Sequence, residues 1–313
     1  MRALVTYLAL AFGLSWLVAL PLWLGDGLDS PSLTVVAIGM MATPAIAAVV
    51  VARFVERRPV ARALGIVPVR PWGRTFLWAA IAVVVPIALV LVALAVAAAL
   101  GLYQTDLREF SGFREILDTQ LAAAGGVEAA GLPLEVLVAL QLVNVVIGTF
   151  INLVPALGEE AGWRGWLLPH LAGRLPMWGA VVASGVIWGL WHAPLVLLGY
   201  NYPTASPLVA LACMVGSCTV LGAVFAWLRL RSGNVWAPAL AHGAVNAAGG
   251  TYLLFAQAGT TVDTTQVTVL GWTGWIVPVV LIAVLAATGQ FRARPEPDTD
   301  AVPRPEPVPS AGP

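Results

Sequence analysis

The sequence predicts an all-α, polytopic transmembrane helical bundle of about eight spans, and three observations predict it: an apolar composition, a series of span-length apolar stretches, and a one-sided distribution of arginine. Of 313 residues, 59% are hydrophobic and 10% are charged, and the mean hydropathy is +0.88. A soluble domain is about one quarter charged because its surface must be solvated. Lipid removes that requirement, so the bilayer is the surrounding this composition demands. The formal net charge of zero argues against nucleic acid or another polyanion as a partner.

A hydrocarbon core of ~30 Å takes about 20 apolar residues of helix. Stretches of that kind run from Ala3 to Leu24, Leu33 to Val55, Phe76 to Leu100, Leu134 to Leu157, Met177 to Tyr200, Leu208 to Leu230, Trp236 to Gln257 and Val269 to Thr288. Because Arg2 precedes the first, a cleaved signal peptide is its other reading. The run is too long for the apolar part of a signal and no Ala-x-Ala site follows, so a retained span is expected.

Arginine sets the orientation. Arg53, Arg57, Arg58, Arg62, Arg70 and Arg74 follow the second span. Arg164 and Arg174 follow the fourth, Arg229 and Arg231 close the sixth, and Arg292, Arg294 and Arg304 lie beyond the eighth. The opposite connections hold Arg108 and Arg114, diluted by Asp106, Glu109, Glu115, Asp118 and Glu128. Positive charge collects on the cytoplasmic side, which places both termini there. Every basic residue is Arg and none is Lys, a bias that points to a GC-rich bacterial genome and hence to a bacterial inner-membrane protein.

The chain divides into residues 1–133, three spans with an amphipathic external segment; 134–257, which holds every unusual polar residue; 258–290, the last span; and 291–313, a Pro-rich tail expected to be disordered. Within Tyr103 to Gly131, residues Leu107, Phe110, Phe113, Ile116 and Leu117 suggest a helix lying on the outer surface. Cys213 and Cys218 share one apolar stretch on different helix faces and read as packing residues.

Ionisable side chains at membrane depth are costly, by about 2.5–3.5 kcal/mol on insertion scales, and are kept where they face the protein interior. Three sets stand out. In Gly158-Glu159-Glu160-Ala161-Gly162-Trp163-Arg164-Gly165, the adjacent carboxylates point ~100° apart on a helix. Glu160 and Arg164 have the spacing of an intrahelical ion pair, which leaves Glu159 facing elsewhere; solvated charges in a loop are the plainer alternative. In Trp188-Gly189-Leu190-Trp191-His192, the His lies inside the fifth span on the face of Trp188, where a hydrogen-bonded core histidine is the plainer reading. In His242-Gly243-Ala244-Val245-Asn246, His and Asn project from one face, as they would in an interhelical polar clamp. If the helix of Glu159 runs on to a turn at Leu175-Pro176, Glu159 and His192 are equidistant from that turn and meet at one depth. The same count puts His242 shallower by roughly 10 Å.

These three motifs, Glu-Glu-x-x-x-Arg, aromatic-x-x-x-His and His-x-x-x-Asn, each in its own apolar segment and in that order, resemble the CPBP family. That family comprises CAAX-protease and bacteriocin-processing intramembrane proteases, relatives of the type II CAAX prenyl endopeptidase. The resemblance covers about Leu134 to Gln257. The second motif commonly begins with Phe, where this sequence has Trp188. The resemblance implies an endopeptidase acting on a peptide or protein substrate at the membrane, with Glu159 and His192 holding and deprotonating water. His242 and Asn246 would serve the oxyanion, and Glu160 and Arg164 would support the helix. Glu159, His192 and His242 would also make a two-His, one-Glu zinc set with an open position for water, but no His-Glu-x-x-His is present. A glutamate-activated water is the expectation, with no metal committed and zinc as the alternative. A proton-coupled transporter would also bury a Glu/His pair, and a catalytically silent scaffold or immunity protein is the other rival. The arginine pattern sets the expected cleavage near the cytoplasmic half of the membrane.

Overall fold

A backbone in lipid must satisfy its own hydrogen bonds, and a single apolar segment can do so only as a helix. The structure, a computed structural model, describes residues 1–67, 72–123 and 132–292. Arg70, Glu128, Arg294, Arg304 and most of the Pro-rich tail lie outside the described residues. The helices are α1 (Arg2–Leu24), α2 (Leu33–Val50), α3 (Val60–Ala63), α4 (Trp72–Ala99), α5 (Ser111–Ala123), α6 (Leu134–Glu160), α7 (Leu168–Ala172), α8 (Met177–Trp191), α9 (Ala193–Val196), α10 (Pro207–Ser232), α11 (Trp236–Ala248), α12 (Tyr252–Phe255) and α13 (Trp272–Ala287). π-helical turns extend α2 over Val51–Val55 and join α6 to α7 over Ala161–Leu167. Among the described residues there is no strand, only an isolated bridge between Thr105 and Ala256.

Each apolar stretch contains a helix, but not each is span-long. Five are long and apolar enough to cross a membrane: α1, α2 with its extension, α4, the continuous Leu134–Ala172 and α10. The 15-residue α8 and 16-residue α13 are apolar but shorter, and α11 has 13 residues. The fifth stretch breaks at His192, before Pro194 removes a backbone donor. The seventh passes into a 3-10 turn at Gly249-Gly250. The amphipathic segment forms α5, which turns Phe113 inward against Val138 and Leu254, while Leu107 stays exposed before the helix begins.

Connections gather at two opposite ends of the bundle. At one end the His170 ring meets Glu56 at 2.7 Å, the Val235 amide donates to Gly65 O at 3.0 Å, and Arg74 donates to Arg231 O. Trp178 packs on Phe291 there. At the other end Asp106 N donates to Phe255 O at 3.0 Å, the Trp23 indole to Pro194 O at 2.8 Å and the Thr264 hydroxyl to Asn201 O at 2.7 Å. The connections after the second, fourth and sixth stretches thus share the arginine-bearing end, and those after the first, third, fifth and seventh share the other. Arg164 departs from the expectation that it sits in an arginine-bearing loop. It lies in the π-helical turn and is 1% exposed.

Small residues let the site-bearing helices approach closely. A Cβ at Gly158 or Gly162 would strike the α2 backbone at Met41 or Pro44, one at Gly185 or Gly189 would strike α10 at Thr219 or Val215, and one at Gly243 would strike α6 at Thr149.

Candidate active site

The first two motifs sit where a regular helix ends or changes pitch, and the third lies within a short helix. Glu159 and Glu160 are the last residues of α6, followed by the π-helical turn that carries Arg164. Single π turns inside helices recur at functional sites because they redirect side chains. His192 caps the C-terminus of α8, and His242 and Asn246 share α11.

The two adjacent carboxylates do different things, as their angular separation requires. Glu160 is wholly buried and its Oε1 accepts from Arg164 Nη1 at 2.8 Å and from His242 Nδ1 at 3.1 Å. The Arg164 guanidinium lies over Trp188 at 4.4 Å and Phe225 at 5.3 Å, and His242 stacks on Phe225 with ring centroids 5.6 Å apart. Glu160 Oε2 and Arg164 Nε and Nη2 are buried without a hydrogen bond among the described residues, so ring faces carry part of the cation's stabilisation.

Glu159, 2% exposed, points away from that pair and accepts through Oε2 from the Trp188 indole at 2.7 Å. The backbone carbonyl of the same Trp188 receives His192 Nδ1 at 2.9 Å. A carbonyl oxygen only accepts, so Nδ1 carries the proton and Nε2 of the neutral ring keeps its lone pair. Trp188 therefore bridges the two residues, donating to one from its side chain and accepting from the other on its backbone. Cys218 Sγ lies 3.8 Å from His192 Nδ1.

Glu159, Trp188, His192, His242 and Asn246 all line one cavity of about 1000 Å³. Glu159 and His192, expected at one depth, are both there, joined through Trp188. His242 is not a turn or two shallower. It bonds to Glu160, and its ring is 5.2 Å from that of Trp188. The difference arises at residues 232–235, a turn in which Ser232, Asn234 and Val235 are all buried by the surrounding protein. Asn246 is exposed on the cavity wall. Asn152 on α6 also lines it, and an Asn inside an apolar span is a sequence signal for such a position. Phe225 gave no such signal, being an aromatic in an apolar stretch.

The zinc set fares differently. Among the described residues no group of three or more His, Cys, Asp or Glu side chains is placed to hold a metal ion. His192 Nδ1 is committed to Trp188, His242 Nδ1 to Glu160, and Glu159 Oε2 to the Trp188 indole. These bonds use Nδ1 of each imidazole and one oxygen of Glu159, and they leave Nε2 of both rings and Oε1 of Glu159 uninvolved.

Comparison with known proteins points to the same segment. Residues 141–248 match the family model described as type II CAAX prenyl endopeptidase Rce1-like. Over 53 residues the chain is 38% identical to CAAX prenyl protease 2 of Methanococcus maripaludis, a match that covers 17% of this chain and 20% of that relative. Glu159, His192, His242 and Asn246 all fall between residues 141 and 248, the segment that is similar to the type II CAAX prenyl endopeptidase family.

Proposed function

We propose that this chain is an intramembrane endopeptidase of a bacterial inner membrane that hydrolyses a peptide bond with water activated by Glu159 and His192. The observation that carries this reading is the pairing of an unneutralised buried carboxylate and an imidazole lone pair in one cavity, both held by Trp188. Water bonded to Glu159 and His192 Nε2 gives a proton to the Glu159 carboxylate as its oxygen attacks the scissile carbonyl carbon. The C–N bond then breaks and Glu159 returns the proton to the leaving amine, which leaves a carboxylic acid, an amine and an unchanged enzyme. The Asn246 amide, free of other side-chain bonds among the described residues, donates to the developing oxyanion. His242 contributes a second donor from Nε2 when both its ring nitrogens are protonated, with Glu160 as counter-charge to the Nδ1–H. Glu160 and Arg164 hold the helix end and touch no substrate.

Peptide termini in membranes of cells expressing the intact chain or its Glu159→Gln form test this reading. Termini that arise only with the intact chain are expected. Identical sets of termini from both forms would overturn it.

A further inference from the structure

We infer that the cavity takes its polypeptide from the extracytoplasmic side of the membrane, from the end of the bundle opposite the arginines. The inference deepens the proteolytic reading and rests on it for the chemistry alone. Its geometry stands on three features of the fold.

The first is a plug. From Glu160 toward the arginine-bearing end, every residue of Ala161–Leu167 is buried. Trp163 and Trp166 enclose Tyr7, with ring centroids 5.9 and 4.5 Å away. Trp166 then stacks on His170 at 3.7 Å and donates to Glu56 at 3.0 Å. Aromatic packing therefore closes the route between Glu159 and the arginine-bearing face.

The second is where the cavity wall comes from. Beyond the site it is built by Leu28 before α2, Gly199, Tyr200, Asn201 and Pro203 before α10, Gly250 after α11, and Thr264 before α13. All belong to connections at the arginine-poor end, and none of the lining residues comes from residues 51–67, 168–176 or 229–236 on the arginine-bearing face. Burial falls along the same direction, from Glu159 at the floor to exposed Pro203 and Gly250 at the mouth.

The third is charge. Arg53, Arg57, Arg58, Arg62, Arg74, Arg174, Arg229 and Arg231 belong to the closed end, against Arg108 and Arg114 at the open end. Arginine-rich connections stay in the cytoplasm, so the mouth faces away from it, contrary to the cytoplasmic cleavage expected from sequence. α2 packs closely on Gly158 of α6 and Gly162 of the π-helical turn, and nearer the mouth exposed Ile38 and Ile151 line the cavity and open it to lipid. Glu159 is the one carboxylate and no Arg is present among the described lining residues. The occupant is therefore an uncharged, apolar stretch of a membrane-anchored polypeptide, cut at its extracytoplasmic edge.

The test is side-specific labelling of the full chain in intact bacterial cells with a membrane-impermeant maleimide, in a Cys213→Ala, Cys218→Ala background. Gly250→Cys reports the mouth, where an added Cβ meets open space, and Pro203→Cys reports it independently. Gly173→Cys reports the closed end. Both mouth variants are expected to label in intact cells as fully as after permeabilisation, and Gly173→Cys only after it. A mouth cysteine that labels only after permeabilisation, or a Gly173→Cys that labels without it, would overturn the inference. Labelling needs no turnover, so it reads out even if the chain proves not to be a protease.

Discussion

Trp188 is the residue through which the site holds together, because its indole N–H reaches Glu159 while its carbonyl orients His192. A phenylalanine would retain the ring beneath Arg164 and lose the donor. A hydrogen bond to a charged group contributes about 1.5–3 kcal/mol. Trp188→Phe should therefore lower kcat by about 10- to 100-fold. An unchanged kcat would mean that the indole does not position Glu159. Asn246 should behave as a transition-state donor, so Asn246→Ala is expected to lower kcat more than it raises KM. A change confined to KM would assign it to substrate binding. Glu160 and Arg164 belong to another class, since removing one partner of a buried pair strands the other charge. Arg164→Ala should cost about 3–5 kcal/mol of stability in detergent unfolding, and a stability loss within 1 kcal/mol, a small fraction of that range, would contradict the structural role. The division between Glu159 and Glu160 was legible in the sequence, because adjacent helical residues diverge and only Glu160 has an Arg one turn on. The bond from Trp188 to Glu159 was not, since it joins two helices whose relative rotation is set by packing.

At the scale of elements, the π-helical turn Ala161–Leu167 is the hinge of the design. It rests on α2 through Gly162, and a methyl group there would fall on Pro44. Overpacking of this kind costs about 1–3 kcal/mol, so Gly162→Ala should lower the thermal midpoint and also disturb Glu159, which lies within one turn of it. Its far end is tied down by Glu56, which accepts from the Trp166 indole and from His170. Burial alone would raise the Glu56 carboxyl, but the bonds from Trp166 and His170 outweigh it and hold the group below its ordinary value of 4.5. A carboxyl lowered on folding contributes stability above its unfolded value and loses it as pH falls through the folded one. The thermal midpoint should accordingly drop below pH 4.5 more steeply in the intact chain than in Glu56→Gln. Equal slopes would show that Glu56 is not linked to folding. Neither device was readable beforehand, because a π turn leaves no mark on apolar periodicity and Glu56 meets Trp166 only in the folded chain.

For the whole molecule, lipid explains why so much could be read early. It forces apolar segments into helices, and it makes a Glu, His or Asn inside one conspicuous. Segment order and the two-sided arrangement of connections follow from that. The places where reading failed have one physical origin, that depth along a helix is set by where its ends are anchored. α11 follows a buried turn at residues 232–235, and the His242 ring lies beside that of Trp188. Arg164 looked like a loop charge and is buried because the helix of Glu159 continues through it to Ala172. The direction of the cavity depends on Tyr7, Trp163 and Trp166, three aromatics that nothing in their local sequence distinguishes from ordinary core.

The account as a whole depends on Glu159 acting in chemistry while leaving the fold alone. Its most direct test is turnover of a peptide identified by terminal mapping, measured together with thermal unfolding, on purified intact chain and Glu159→Gln. The amide cannot take a proton from water, so turnover is expected to fall by about 10²–10⁴ while the thermal midpoint stays that of the intact chain. Turnover retained by a folded Glu159→Gln protein would contradict the account.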